Sequence, residues 1–150
     1  MSNVLHILID QAKEKADACI KAMAKTQQLI AQGEQKLAML TQYETDCHTG
    51  LHSRATQGGI TGLHLRNQNA FVGKISQAIE QQRQELEFLA TTLTHQKQQY
   101  QIALQEQRKY EALVEREKRR EAHKEAKRDQ KMNDEYAARI ARVHAAGEFS

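Results

Sequence analysis

The sequence predicts an all-α fold: a long two-helix antiparallel coiled-coil hairpin whose C-terminal helix extends beyond the paired region. Three observations predict it. The 150 residues contain no proline and no tryptophan, only 5% are aromatic, and the abundant residues (Ala, Gln, Glu, Lys, Arg, Leu) are strong helix formers. Two stretches carry apolar residues at seven-residue spacing, the mark of a coiled-coil seam. Between them lies one glycine-rich break, Gln57-Gly58-Gly59-Ile60-Thr61-Gly62. The expected organisation is a single domain, 1–150, with a helix over 3–54, a turn over 55–66, a second helix over 67–145 and a flexible tail over 146–150.

The first arm starts near Ser2 or Asn3, either of which can cap a helix. One of its rows is Leu5, Ala12, Cys19, Thr26, Gly33, Leu40 and Cys47. The other is Ile9, Ala16, Met23, Ile30, Leu37, Glu44 and Leu51. The rows persist for about seven heptads, with Lys, Gln, Glu, Asp and Thr between them. Ala12, Ala16 and Cys19 are small and admit a close partner. Gly33 costs about 1 kcal/mol relative to alanine in a helix interior, so it implies close packing against a large opposing residue. Glu44 on a core row must reach solvent, find a partner, or mark a shift of register. Cys19 and Cys47 lie about 42 Å apart along one helix, which forbids a disulfide between them. They read as reduced, small apolar side chains.

In and around the turn, five of the seven glycines concentrate backbone freedom: Gly50, Gly58, Gly59, Gly62 and Gly73. No phosphate-cradling glycine pattern is present. His48 and His52 have an i,i+4 spacing beside Cys47, but no further ligand set accompanies them, and no metal or other cofactor is expected.

The second arm is expected to begin between Leu65 and Asn69. Its rows are Val72, Ile79, Leu86, Leu93, Tyr100, Gln107, Val114 and Ile75, Gln82, Leu89, Gln96, Ala103, Tyr110. Folding the chain at the glycines sets Leu5 opposite Val114, Ile9 opposite Tyr110, Ala16 opposite Ala103 and Cys19 opposite Tyr100. It also sets Ile30 opposite Leu89, Gly33 opposite Leu86, Leu40 opposite Ile79 and Cys47 opposite Val72. Small residues mostly meet larger ones. The expected paired part is about 70–75 Å long, with a single helix projecting about 40 Å past it.

That projection, from Glu115 onward, is almost wholly polar. Arg116, Arg120, Lys124 and Arg128 form a basic row beside an acidic row of Glu117, Glu121, Glu125 and Asp129. Ion pairs at i,i+3 are expected for Glu117–Arg120, Glu121–Lys124 and Glu125–Arg128, each stabilising by about 0.2–0.5 kcal/mol. Apolar residues return at Met132, Tyr136, Ile140 and Val143, a short stripe with no partner inside the chain and hence a binding surface.

The net charge of +3, with acids interleaved among the bases, disfavours nucleic-acid binding. No apolar run approaches the ~20 residues a membrane span needs, and the N-terminus lacks the basic start of a signal peptide. A cytoplasmic location is expected. No nucleophile has a credible base, and a two-helix hairpin has no interior in which to shift a pKa, so an enzyme is not expected.

Several motifs resemble the FliJ family, the coiled-coil component of bacterial flagellar type III export. Tyr110-Glu111-Ala112-Leu113-Val114-Glu115-Arg116 resembles its Tyr-Glu-x-Leu-x-Glu-Arg block. Asp129-Gln130-Lys131-Met132-Asn133-Asp134-Glu135 resembles its Glu-Gln-Lys-x-x-Asp-Glu block, with Asp129 replacing the usual Glu. Leu37, Leu40 and Tyr43 resemble a Leu-x-x-Leu-x-x-Tyr pattern. Phe71, Ile75, Ala78, Ile79, Gln81 and Gln82 resemble a Phe-x-x-x-Leu-x-x-Ala-Ile-x-Gln-Gln run. Cys47 and Tyr100 depart from the family, which favours an aromatic and a tryptophan there. The match spans roughly residues 5–145.

The resemblance implies a non-enzymatic stalk and escort protein. It implies binding to a hexameric export ATPase (FliI-like) and its regulator (FliH-like), to a membrane-embedded export gate protein (FlhA-like) and to export chaperones. It also implies a peripheral position at the inner membrane of the flagellar base, without membrane insertion. ATPase contacts are expected at Arg116, Arg120, Arg128, Gln130, Lys131 and Asp134, and gate contacts at Phe71, Ile75, Ala78 and Gln82, with Phe71 the least explained by the seam. The stalk of a virulence type III system and a self-associating structural coiled coil are the alternative readings.

Overall fold

The structure, a computed structural model, describes residues 2–59 and 61–148. Helix α1 spans Ser2–Thr56 and helix α2 spans Gly62–Glu148, and no strand occurs among the described residues. The two helices pack antiparallel as a hairpin. Contacts group the chain into two compact units: Glu14–Ala103, and Met1–Lys13 together with Leu104–Ser150.

Within the Glu14–Ala103 unit, both rows of each helix are buried or half-buried. Ala16, Ile75, Ile79 and Ala103 form its most enclosed apolar positions. Gly33 lies against Leu86, as the heptads predict: a Cβ at Gly33 would stand 2.7 Å from Leu86 Cδ2. Three of the polar seam residues find partners or bond back to their own helix. Gln82 Nε2 donates to the Gly33 carbonyl at 3.2 Å. Thr26 Oγ1 donates to the Ala22 carbonyl at 3.0 Å. Glu44 is held by Ser76, whose Oγ donates to Glu44 Oε2 at 2.9 Å, so the acid on the core row is paired and the register does not slip there. Gln96 Oε1 is buried without a hydrogen-bond partner.

The turn is shorter than the glycines suggest. α1 continues through His52–Thr56 and ends in a Schellman motif. Gly59 N donates to the Arg54 carbonyl at 3.3 Å and Gly58 N to the Ala55 carbonyl at 3.2 Å. Gly58 supplies the left-handed residue this motif requires, with φ of 73°. α2 begins at Gly62, ahead of the expected Leu65–Asn69 start, because Thr61 caps it. The His64 amide donates to Thr61 Oγ1 at 3.3 Å, the N-cap bond of a threonine. Gly50, Gly62 and Gly73 lie inside helices, so the local glycine content overstates the length of irregular backbone. At the other end α2 runs to Glu148, past the expected boundary at 145.

In the second unit, Ile9 and Ala12 are buried and Leu5 is half-buried, and on α2 Gln107, Tyr110 and Val114 are half-buried. After Glu117 the burial stops. Every residue over 118–147 is exposed, and α2 proceeds as a single helix. The expected i,i+3 pairs of this stretch do not close. The ion pair found among the described residues is Arg119–Glu115 at 3.6 Å, an i,i+4 contact. Both of its side chains are largely solvated, so its contribution is small. The wide basic and acidic rows face water, where long side chains lose more rotamer entropy on pairing than exposed attraction returns.

Candidate interaction surfaces

Two surfaces remain after the seam is accounted for. The first is the single helix and the junction from which it leaves the pair. Here the expected ATPase-contacting residues separate into two groups. Arg116 and Arg120 line a groove with Val4, Leu5, Leu113 and Glu117, so they sit beside the start of α1. Arg128, Gln130, Lys131 and Asp134 stand further along, exposed on the unaccompanied part of α2. Across the junction a second cleft of about 500 Å³ is lined by His6, Val114, Glu117, Lys118, Glu121, Ala122 and Glu125. Val4, which lines the first groove, is 59% exposed, and Ile7 is 56% exposed.

The second surface lies near the turn. The Tyr43 and Phe71 rings meet edge to face, with centroids 6.2 Å apart and planes at 67°. Such a pair is worth about 0.5–1.5 kcal/mol beyond its buried area. Tyr43, Asp46, Cys47, Gly50, Leu51, Arg54, Gln68 and Phe71 line a cleft of about 390 Å³. Gly50 leaves its floor open, since nothing stands within 4 Å of where its Cβ would be. Of the expected gate contacts, Phe71 is 45% exposed and Ala78 is half-buried. Ile75 and Gln82 are 7% and 5% exposed, and the seam uses both. Two of the four residues therefore have faces available to a partner while the hairpin is closed. Sequence reasoning had Tyr43 and Phe71 in separate motifs and missed their contact. Both stand off the seam rows on the same side of the hairpin, which is the signal that joins them.

No helix of the described residues is long and apolar enough to cross a membrane. No group of three or more His, Cys, Asp or Glu among them is placed to hold a metal.

A family model described as Flagellar FliJ protein matches residues 1–146. The chain belongs to the FliJ family. It is thus a coiled-coil protein associated with flagellar export, and the family is a non-catalytic component of that machinery. The match runs through the hairpin and nearly to the end of α2, so the single helix is part of the family's own sequence and not an appendage to it. No curated protein and no solved structure matched the chain.

Proposed function

We propose that this FliJ-family chain is a stalk and escort of the export apparatus, and that the unaccompanied part of α2 enters the ring of the hexameric export ATPase. The observation that carries this reading is the complete exposure of residues 118–147 beyond the last seam layer. A single α-helix is about 10–12 Å across with its side chains, so it fits a pore too narrow for a helix pair. Arg128, Gln130, Lys131 and Asp134 offer charge and hydrogen bonds to the pore wall. Arg116 and Arg120, beside the start of α1, act where the pair meets the ring entrance. The Tyr43–Phe71 cleft serves the gate protein, with Phe71 and Ala78 as the contacts. Ile75 and Gln82 support that surface from behind. A FliH-like regulator and export chaperones complete the partner set, at the cytoplasmic side of the inner membrane.

The test is hydrolysis and assembly by purified export ATPase. The full chain should raise both. A chain ending at Glu117, which keeps every seam layer, should raise neither. Equal rates with and without the full chain would refute the reading. Stimulation that survives the truncation would move the contact to the paired region.

A further inference from the structure

We infer that the single-helix part of α2 pairs with the same segment of a second copy, antiparallel, through the face that carries the Met132–Val143 stripe. Taken at 100° per residue, Ala122, Ala126, Asp129, Asn133, Tyr136 and Ile140 fall within about 40° of one line along the helix. All six are exposed. Met132 and Val143 flank that line on one side and are 67% and 71% exposed. The line is not the seam, whose rows continue on a different azimuth.

The face is self-complementary when two copies run in opposite directions about residue 131. Ala122 of one chain then stands opposite Ile140 of the other, and Ala126 opposite Tyr136. Small meets large at both layers, twice each by symmetry. At the centre Asp129 stands opposite Asn133. The amide donates to the carboxylate, a polar layer of the kind that fixes register in helix pairs. Met132 lies beside the two-fold axis and meets its own copy. On that flank Glu121 and Glu125 stand nearest Arg139 of the second copy. In a parallel pairing this flank would face the opposite flank of the second copy, and Glu121 and Glu125 would not meet Arg139.

The end layers reach a hollow already present in each chain. Ala122 lines the cleft of about 500 Å³ with His6, Val114 and Lys118. In the antiparallel register Val143 of the second copy arrives at this cleft. The apolar stripe, the alanines opposite it and the hollow beside Ala122 thus make a single continuous contact. Of the proposed ATPase-facing residues, Arg116, Arg120, Arg128, Lys131 and Asp134 lie more than about 100° away from this face and Gln130 about 80° away, so the proposal does not rest on ATPase binding.

The measurement is the mass of the full chain by sedimentation equilibrium, from micromolar to millimolar concentration and without other proteins. The mass should rise from the 17.1 kDa of one chain towards twice that value. Tyr136→Glu should hold it at one chain throughout. Arg139→Glu should weaken association by roughly tenfold, about 1.4 kcal/mol. Adding Glu121→Arg and Glu125→Arg to Arg139→Glu should restore it, which only an antiparallel pairing achieves. Far-UV circular dichroism on each variant checks that the hairpin remains folded. A single-chain mass at every concentration would leave the stripe to a different partner and overturn the proposal. Association that ignores Tyr136→Glu, or that the triple exchange fails to restore, would overturn it as well.

Discussion

Replacing Gly33 and Gly73 by alanine is the same chemical change in the interior of two helices, and the structure gives it opposite signs. An alanine gains about 1 kcal/mol over glycine from helix propensity alone. At Gly73 nothing stands within 4 Å of the new methyl, so that gain should appear nearly whole. At Gly33 the methyl would lie 2.7 Å from Leu86 Cδ2 and 2.9 Å from Gln82 Nε2. Both atoms are side-chain ends and can move, but each movement has a cost. Turning Gln82 aside breaks its bond to the Gly33 carbonyl in a side chain only 5% exposed, and an unpaired buried amide costs about 1–3 kcal/mol. Displacing Leu86 from the seam costs about 1 kcal/mol more in packing. Net, Gly33→Ala should destabilise by about 1–3 kcal/mol while Gly73→Ala stabilises by up to ~1 kcal/mol. Thermal unfolding followed by far-UV circular dichroism reads this as a melting point lowered in one variant and raised in the other, at about 2–4 °C per kcal/mol for a chain of this length. In a Leu86→Ala background the cost at Gly33 should shrink, a coupling between touching residues. If Gly33→Ala raised the melting point as Gly73→Ala does, the close approach of the helices at this layer would be wrong.

Gly58→Ala should destabilise by about 1–2 kcal/mol, because its φ of 73° is left-handed, whereas Gly59→Ala should lie near wild type; chemical denaturation of the two variants distinguishes them. Phe71→Ala should lower stability by about 1 kcal/mol through loss of the Tyr43 ring contact. On the gate reading it should also weaken binding to the cytoplasmic part of the gate protein by roughly tenfold, and unchanged affinity in a titration would remove Phe71 from that contact.

The seam was legible because a coiled coil repeats one simple rule. Leu5 through Leu51 and Val72 through Val114 could be assigned from spacing alone, and none of those row positions is exposed. Gly33 was legible for the same reason: an otherwise costly residue on a core row implies a large neighbour, and Leu86 is that neighbour. The turn was less legible. Glycine content marks where the backbone can break but not where it does, and hydrogen bonds from Gly58, Gly59 and Thr61 decide the limits. Charge pairs were least legible. Spacing brings Glu121 within reach of Lys124, but reach does not make a contact when both side chains lie in water. For the candidate surfaces, sequence placed Phe71 off the seam, yet it also assigned Ile75 and Gln82 to a partner that the seam leaves little of to touch.

What ends the pairing is the composition of α2 and not the turn. The row that runs Tyr100, Gln107, Val114 continues as Glu121, Arg128, Glu135 and Arg142, and the row through Ala103 and Tyr110 continues as Glu117, Lys124 and Lys131. A longer α1 would find no apolar seam to pack on. Of the apolar residues of the last turns, Tyr136 and Ile140 stand about 40° and 80° round the helix from Val114, off the line along which α1 packs. The same helix thus changes its partner-facing side once, near Val114: before it, the side chains serve the fold, and after it they are free to serve another molecule. A helix that leaves its pair and continues alone requires such a change, and the residues from Glu117 to Ala122 are where this chain makes it.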